Sequence, residues 1–77
     1  MTTTMMQVTV NGVPRELPDG MTAAGLLASL GLAPERVVVE LNLTILKRAQ
    51  LPSAALKTGD QVEIVHFVGG GASWPKI

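Results

Sequence analysis

The chain has 77 residues, of which 47% are hydrophobic and 16% charged, and six Lys and Arg balance six Asp and Glu. This length predicts one small domain and excludes a multi-domain enzyme with its own deep substrate cleft. The neutral charge, with no basic cluster among aromatics, argues against nucleic acid as a partner.

The chain contains no cysteine and one histidine. The lack of cysteine excludes disulfides, thiolate catalysis and thiolate metal sites, and one histidine is too few for most zinc sites, so we expect no metal site. The longest apolar runs fall far short of the ~20 residues that span a bilayer, and the start lacks a signal-peptide pattern. We therefore expect a cytoplasmic protein that does not engage a membrane.

Two strands joined by a tight turn are predicted near the start of the chain. Residues 1–5 carry no core signal, and we expect them to form a disordered extension. From Met6 apolar residues alternate with polar ones, which is typical of a half-buried strand. Asn11-Gly12 tolerates the positive φ values of a type I′ turn, so Val10 and Val13 are predicted to pair across a hairpin.

One helix is predicted between Thr22, its N-cap, and Gly31, which takes the left-handed conformation after the last turn. Leu32 is then expected to contact Leu27 in a Schellman motif. Gly25 lies inside the helix, and we interpret it as a site where the helix approaches the sheet closely. The apolar positions at helical spacing are Ala23, Leu26, Leu27 and Leu30.

The second half of the chain is predicted to contain two strands, a helical turn and a last strand, at residues 36–41, 43–46, 52–56 and 61–68. One long helix can cover only one face of such a sheet, so the sequence predicts an α+β fold whose other sheet face is open. On the last strand, Val62 and Ile64 are expected to face the helix, and Val65 and Phe67 the open side.

Five features occur in a familiar order along the chain. They are Asn11-Gly12 in the first hairpin, the helix from Thr22 to Gly31, Val39-Glu40-Leu41-Asn42 in the third strand, Thr58-Gly59-Asp60 before the last strand, and glycines directly after it. In this combination the chain resembles the β-grasp sulfur carriers, most closely those of the ThiS type, from about residue 6 to residue 71. One departure is Leu43, where relatives often have glycine.

This resemblance implies a ubiquitin-like β-grasp domain at residues 6–68, with a mixed sheet of four or five strands and one main helix on one face. A flexible C-terminal tail follows at residues 69–77. In the family, the C-terminal glycine is adenylylated by a ThiF-like adenylyltransferase that uses ATP, and a sulfur donor enzyme then supplies the sulfur of a thiocarboxylate. A ThiG-like thiazole synthase consumes it in thiamine biosynthesis. The matching pair here is Gly70-Gly71, with the acyl group on Gly71, no cofactor bound and no catalysis by the domain itself.

The residues beyond Gly71 depart from the carriers that act directly, because a peptide bond to Ala72 blocks the carboxylate. Some relatives carry such extensions and are trimmed by a metalloprotease of the JAMM type, and we predict the same removal of residues 72–77. The alternatives are that these six residues are an addition to the natural chain, or that the carrier no longer carries sulfur.

Docking of partners is predicted on the open sheet face, because contiguous exposed apolar surface tends to mark interaction sites. The predicted docking residues are Val65, Phe67, Val38 and Gly69. Coverage of these side chains by the chain ends or by a second copy is the competing interpretation. His66 has no evident nucleophile or carboxylate in register, so we assign it no catalytic role.

Three other functions stay open at this point. One is a MoaD-type sulfur carrier for molybdopterin synthesis, although that family usually has prolines before its glycines where this chain has Phe67-Val68. Another is a ubiquitin-like binding module that uses the open face without acyl chemistry. The third is a protein-conjugating modifier, which would form isopeptide-linked adducts on lysines of other proteins.

Overall fold

The structure is a computed structural model that describes residues 4–66. The elements are β1 (Met5–Val10), β2 (Val13–Pro18), α1 (Ala23–Ser29), a 3-10 turn (Pro34–Arg36), β3 (Val37–Leu41), β4 (Thr44–Leu46), a 3-10 helix (Arg48–Ser53) and β5 (Gln61–His66). The strands form one sheet in the order β2-β1-β5-β3-β4, in which β1 and β5 are parallel and the other neighbours are antiparallel. The predicted α+β fold, a mixed sheet with one main helix, is confirmed.

The first hairpin has the predicted type I′ turn. Asn11 and Gly12 have φ values of 50° and 82°, and Val10 pairs with Val13 across the turn. The first strand begins at Met5, one residue before the predicted start, because Met5 pairs with Pro18 at the far end of β2.

The helix begins and ends as its sequence predicts. The Thr22 hydroxyl accepts a hydrogen bond from the Gly25 N–H at 3.1 Å, which makes it the N-cap. After the last turn Gly31 has a φ of 73°, and the Leu32 N–H donates to the Leu27 carbonyl at 2.9 Å. This bond is the mark of a Schellman motif, so the predicted stop is confirmed.

The interpretation of Gly25 as a helix–sheet contact is wrong. A Cβ built at this position would meet Met21 Cγ at 3.3 Å and the Thr22 hydroxyl at 3.5 Å, and no atom of the sheet is among its nearest neighbours. The glycine therefore leaves room for the residues that lead into the helix.

The core lies between the sheet and the helix. Leu26 and Leu27 of α1 pack against the sheet face that carries Val8, Val62 and Ile64, and all five side chains are fully buried. The predicted orientation of Val62 and Ile64 toward the helix is thus confirmed. The other buried apolar residues are Met6, Val10, Leu17, Ala23, Val37, Val39, Leu51 and Leu56.

The short helix of the second half lies earlier than predicted, at Arg48–Ser53 instead of residues 52–56. The Gln50 side-chain oxygen accepts a hydrogen bond from the Lys47 N–H at 2.7 Å and closes the first turn. Leu51 is then turned into the core, where it is buried. The burial of Leu51 in the core and the hydrogen bond between Lys47 and Gln50 therefore set the start of this short helix.

The β3–β4 hairpin contains a strained residue. Asn42 and Leu43 form its turn with φ values of 51° and 72°, and the Leu43 side chain is 90% exposed. Asparagine tolerates the left-handed region, whereas leucine is disfavoured there by contact between Cβ and the backbone. The exposed side chain makes little stabilising contact, so the positive φ of Leu43 lowers the stability of the fold.

We expect Leu43→Gly to stabilise the domain, because glycine adopts positive φ without this steric penalty. The expected gain is about 1 kcal/mol, which raises Tm by about 4–8 °C in a domain of this size. Thermal unfolding followed by circular dichroism measures it. Leu43→Ala is the matched control: it removes most of the side chain and keeps the strain, so its Tm should stay near that of the parent. Equal Tm values for the two variants would contradict the assignment of strain.

Candidate functional site

The strand that leads to the C-terminal glycines is the central strand of the sheet. β5 pairs with β1 on one side and with β3 on the other. Its parallel ladder with β1 is short and pairs only Thr9 with Gln61 and Val10 with Val62. The strand therefore needs further bonds on that side to be held along its length.

Asn11 supplies these bonds from the turn after β1. Its N–H donates to the Val62 carbonyl at 2.8 Å. Its side-chain amide donates to the Ile64 carbonyl at 3.1 Å, and its side-chain oxygen accepts from the Ile64 N–H at 2.7 Å. The side chain thus takes the place of another strand residue and extends the pairing of β5 toward its C-terminal end.

Asn42 has the same role on the other side of β5. Its N–H donates to the Gln61 carbonyl at 2.8 Å, and its side-chain oxygen accepts from the Gln61 N–H at 2.9 Å. Its side-chain amide donates to Asp60 Oδ1 at 3.0 Å. Both turn asparagines with positive φ therefore hold β5, one from each neighbouring hairpin.

Asp60 is a carboxylate that is 3% exposed at the start of β5. Beside its bond from Asn42, its Oδ2 accepts from the Lys57 N–H at 2.9 Å, and Lys57 Nζ lies 3.6 Å from Oδ1. Burial by itself raises the pKa of Asp60, but the hydrogen bonds from Asn42 and from the Lys57 backbone, with the Lys57 charge, lower this pKa below its ordinary value overall. The ionised form is the one that this site binds.

The predicted docking residues are placed in part. Val38 and Val65 lie directly opposite each other in the β3–β5 pair, half-buried on the sheet face away from the helix. Phe67, Gly69 and the predicted acyl pair Gly70-Gly71 lie outside the described residues. His66, the last residue of β5, pairs with Val37 of β3.

Sequence patterns did not single out two exposed apolar side chains on the β3–β4 hairpin. Leu43 is 90% exposed and Ile45 is 62% exposed. The one available signal was Leu43 after an asparagine, at a turn position that favours glycine. Short apolar runs such as Leu43-Thr44-Ile45-Leu46 do not show by pattern alone which side chain reaches the core.

Two searches of the described residues bear on the class of site. In residues 4–66 no group of three or more His, Cys, Asp or Glu side chains could hold a metal ion. Over the same range, the structure contains no helix whose length and apolar character would let it cross a membrane.

The five-stranded mixed sheet with one helix on one face defines a β-grasp domain. A sequence model of the ThiS family matches residues 8–71, which is most of the chain. The chain belongs to the ThiS family.

Solved and curated relatives agree with this assignment. The crystal structure of the thiamine biosynthesis protein ThiS from Geobacter metallireducens superposes with a TM-score of 0.74 at 39% identity, over 86% of this chain and 100% of that one. The sulfur carrier protein ThiS of Thermus thermophilus is 36% identical over 83% of this chain and 98% of its own length.

A longer relative is the thiazole synthase of Magnetococcus marinus, which is 43% identical over 91% of this chain. That match covers only 22% of the length of the thiazole synthase. The chain thus spans about a fifth of this relative, and the ThiS-like segment there is part of a larger protein.

We expect Asp60→Asn to destabilise the domain by about 1–3 kcal/mol at pH 7, because its amide group must face one of the two N–H donors that now bind the carboxylate. The pH dependence should change as well. A folded-state pKa below the unfolded value of about 3.9 gives a stabilisation that is complete above that value and is lost as pH falls through the folded pKa.

Urea unfolding at pH 7 and at pH 3 measures both effects. The parent should lose stability between the two pH values, and Asp60→Asn should lose less. Asp19→Asn, at an exposed carboxylate, is the control and should follow the parent. An Asp60→Asn variant as stable as the parent at pH 7 would show that the bonds to Asp60 contribute nothing net.

Proposed function

We propose that this protein is a sulfur carrier of thiamine biosynthesis that delivers sulfur for the thiazole ring. The observation that carries the proposal is the family match, which continues past the last described strand and includes both Gly70 and Gly71. The names of the relatives support thiamine over molybdopterin, since they are sulfur carrier proteins ThiS and thiazole synthases.

The chemistry requires an activated C-terminus. A carboxylate is a poor electrophile, so the Gly71 carboxylate attacks the α-phosphorus of ATP in a ThiF-like adenylyltransferase, and pyrophosphate leaves. A hydrosulfide equivalent from the sulfur donor enzyme then attacks the acyl carbon of this mixed anhydride. The bond to AMP breaks, AMP leaves, and a thiocarboxylate remains on Gly71.

The chain itself contributes a carrier and not a catalyst. It has no cysteine, so sulfur cannot be held on a thiol and has to be carried on the terminal acyl group. Glycines at 69–71 have no side chains, which lets the backbone enter a narrow active site. The strand before them is held from both sides by Asn11 and by Asn42, which provides a firm base for this thin end.

Removal of residues 72–77 is part of the proposal. Gly71 is joined to Ala72 by a peptide bond, and only hydrolysis of that bond yields the carboxylate that is adenylylated. A JAMM-type metalloprotease is the class of enzyme we propose for this step.

A ThiG-like thiazole synthase is the partner with the most direct support. In the thiazole synthases of Magnetococcus marinus and Paramagnetospirillum magneticum, a segment that is 43% and 39% identical to this chain belongs to a longer protein of that name. Joining the two in one chain raises their effective concentration. We propose that this domain docks on the same class of enzyme.

The test is reconstitution with a ThiF-like adenylyltransferase, ATP and a sulfide source, followed by intact mass. A chain ending at Gly71 should gain the mass difference between one sulfur and one oxygen atom, whereas the chain ending at Ile77 should remain unchanged. The thiocarboxylate form should then support thiazole formation by a thiazole synthase.

The matched variant is Gly71→Ala in the trimmed chain, which puts a methyl group next to the reacting carbonyl and should slow adenylylation severely. Val13→Ala on the distant edge strand is the control and should react like the parent. If the trimmed chain is never adenylylated, the carrier function is wrong and the binding-module alternative is favoured. If Gly71→Ala retains full sulfur transfer, the carrier function stands and the requirement for glycine at the acyl position is wrong.

A further inference from the structure

The tip of the β3–β4 hairpin combines backbone strain with apolar exposure. Leu43 is held at a φ of 72° although glycine is the residue suited to that turn position, and its side chain is 90% exposed. Ile45, two residues later, is 62% exposed. Neither side chain contributes to the core, so the fold alone gives no reason for a large apolar residue at position 43. Strain kept at an exposed position indicates a use for the side chain outside the fold.

Carboxylates lie directly beside these two side chains. Glu40 of β3 pairs with Ile45 of β4 on one side and with Glu63 of β5 on the other. Like charges in directly opposite positions disfavour the sheet. Glu40, Glu63 and Leu43 line an open depression of about 580 Å³, whose other lining residues are Asn42, Gly59 and Gln61.

The charged residues at the open-face positions of the described strands all have the same sign. Residues paired across neighbouring strands share a face, so the register assigns the open-face positions of every strand. Among these described strand positions there are three carboxylates and no lysine or arginine. The positions are Met5, Gln7, Thr9, Pro14, Glu16, Pro18, Val38, Glu40, Ile45, Gln61, Glu63 and Val65.

The depression lies at the opposite end of β5 from the tail. It opens beside Gln61, the first residue of β5, whereas the tail leaves after His66. Five residues of extended strand separate the two ends by roughly 16 Å. Glu40 and Glu63 are the next residues on the open face after Val38 and Val65, so the surface beside the hairpin is continuous with the Val38–Val65 pair.

We propose that the hairpin surface, which consists of Leu43, Ile45, Glu40 and Glu63, extends the predicted docking surface to the far end of the open face. It fits a partner protein that presents an apolar side chain flanked by lysine or arginine residues. The partner is the thiazole synthase, because two proteins of that name contain a segment similar to this chain, and this identification rests on the proposed function. Contact at both ends of the open face sets the orientation of the domain, and the glycine tail is then aimed at one active site. The hairpin surface supplies the apolar anchor and the acidic surroundings.

The apolar residues and the carboxylates of the hairpin surface contribute to binding in different ways. An apolar anchor in a desolvated contact acts mainly on the dissociation rate, whereas charges around it act on the association rate and on its salt dependence. Leu43→Gly removes the anchor and relieves the strain, so the domain stays folded. Glu40→Gln combined with Glu63→Gln removes the charges and keeps the size of both side chains.

The experiment measures binding of the chain to the thiazole synthase of the same organism by surface plasmon resonance, in low and in high salt. Leu43→Gly should weaken binding about tenfold or more, through faster dissociation. The double glutamine variant should slow association at low salt and flatten the salt dependence. Val13→Ala, an apolar side chain that is 54% exposed on the far edge strand, should bind like the parent.

The outcomes separate this inference from the proposed function. If the parent supports thiazole formation and Leu43→Gly binds as tightly as the parent, the docking surface is wrong and the carrier function stands. If the parent neither binds the thiazole synthase nor supports thiazole formation, both are wrong. If Leu43→Gly impairs only adenylylation, or only dissociates a dimer of this chain in sedimentation, the surface serves a different occupant and the proposal is overturned.

Discussion

The pairing of β5 at the centre of the sheet is the constraint on which the rest of the structure depends. A parallel neighbour meets this strand over two residue pairs only, so backbone pairing by itself would leave much of it unsupported on that side. Asn11 corrects this on the β1 side, because its side chain bonds to the backbone of Ile64. On the β3 side, the Asn42 side chain bonds to the backbone of Gln61 and, through Asp60, to the turn before β5. Both asparagines tolerate the positive φ of a type I′ turn and have amides that imitate a peptide group. One residue type thus closes each hairpin and also joins it to the central strand.

This arrangement places the rigid core and the proposed reacting residues in different parts of the protein. The core lies on the helix side of the sheet, where Leu26, Leu27 and Ile64 are fully buried, and the chemistry that we propose takes place on residues beyond the sheet. The polar and acidic strand positions of the open face keep it from being a second core. In the function that we propose, the domain presents its C-terminal glycines to an enzyme from a firmly held strand.

Local sequence signals were sufficient wherever the structure depends on local geometry. Asn11-Gly12, the Thr22 cap and the Gly31 stop were all predictable, since each requires a backbone conformation that few residue types adopt. Elements decided by distant contacts were not. The short helix at Arg48–Ser53 is set by the burial of Leu51 against the core, and the approach of Asn42 to Asp60 joins residues 18 positions apart. The depression beside Leu43 needs three strands in register, which no single segment encodes.

The sequence by itself determined the fold class, the type I′ turn of the first hairpin and both ends of α1. These follow from periodicity and from residues with special φ preferences, which act over a few neighbours. Only the tertiary structure decided that β5 is central, that two asparagines hold it, and that Glu40 and Glu63 lie opposite each other beside an exposed Leu43. Such facts depend on strand order and register, and these are chosen by how all the apolar side chains fill one core together.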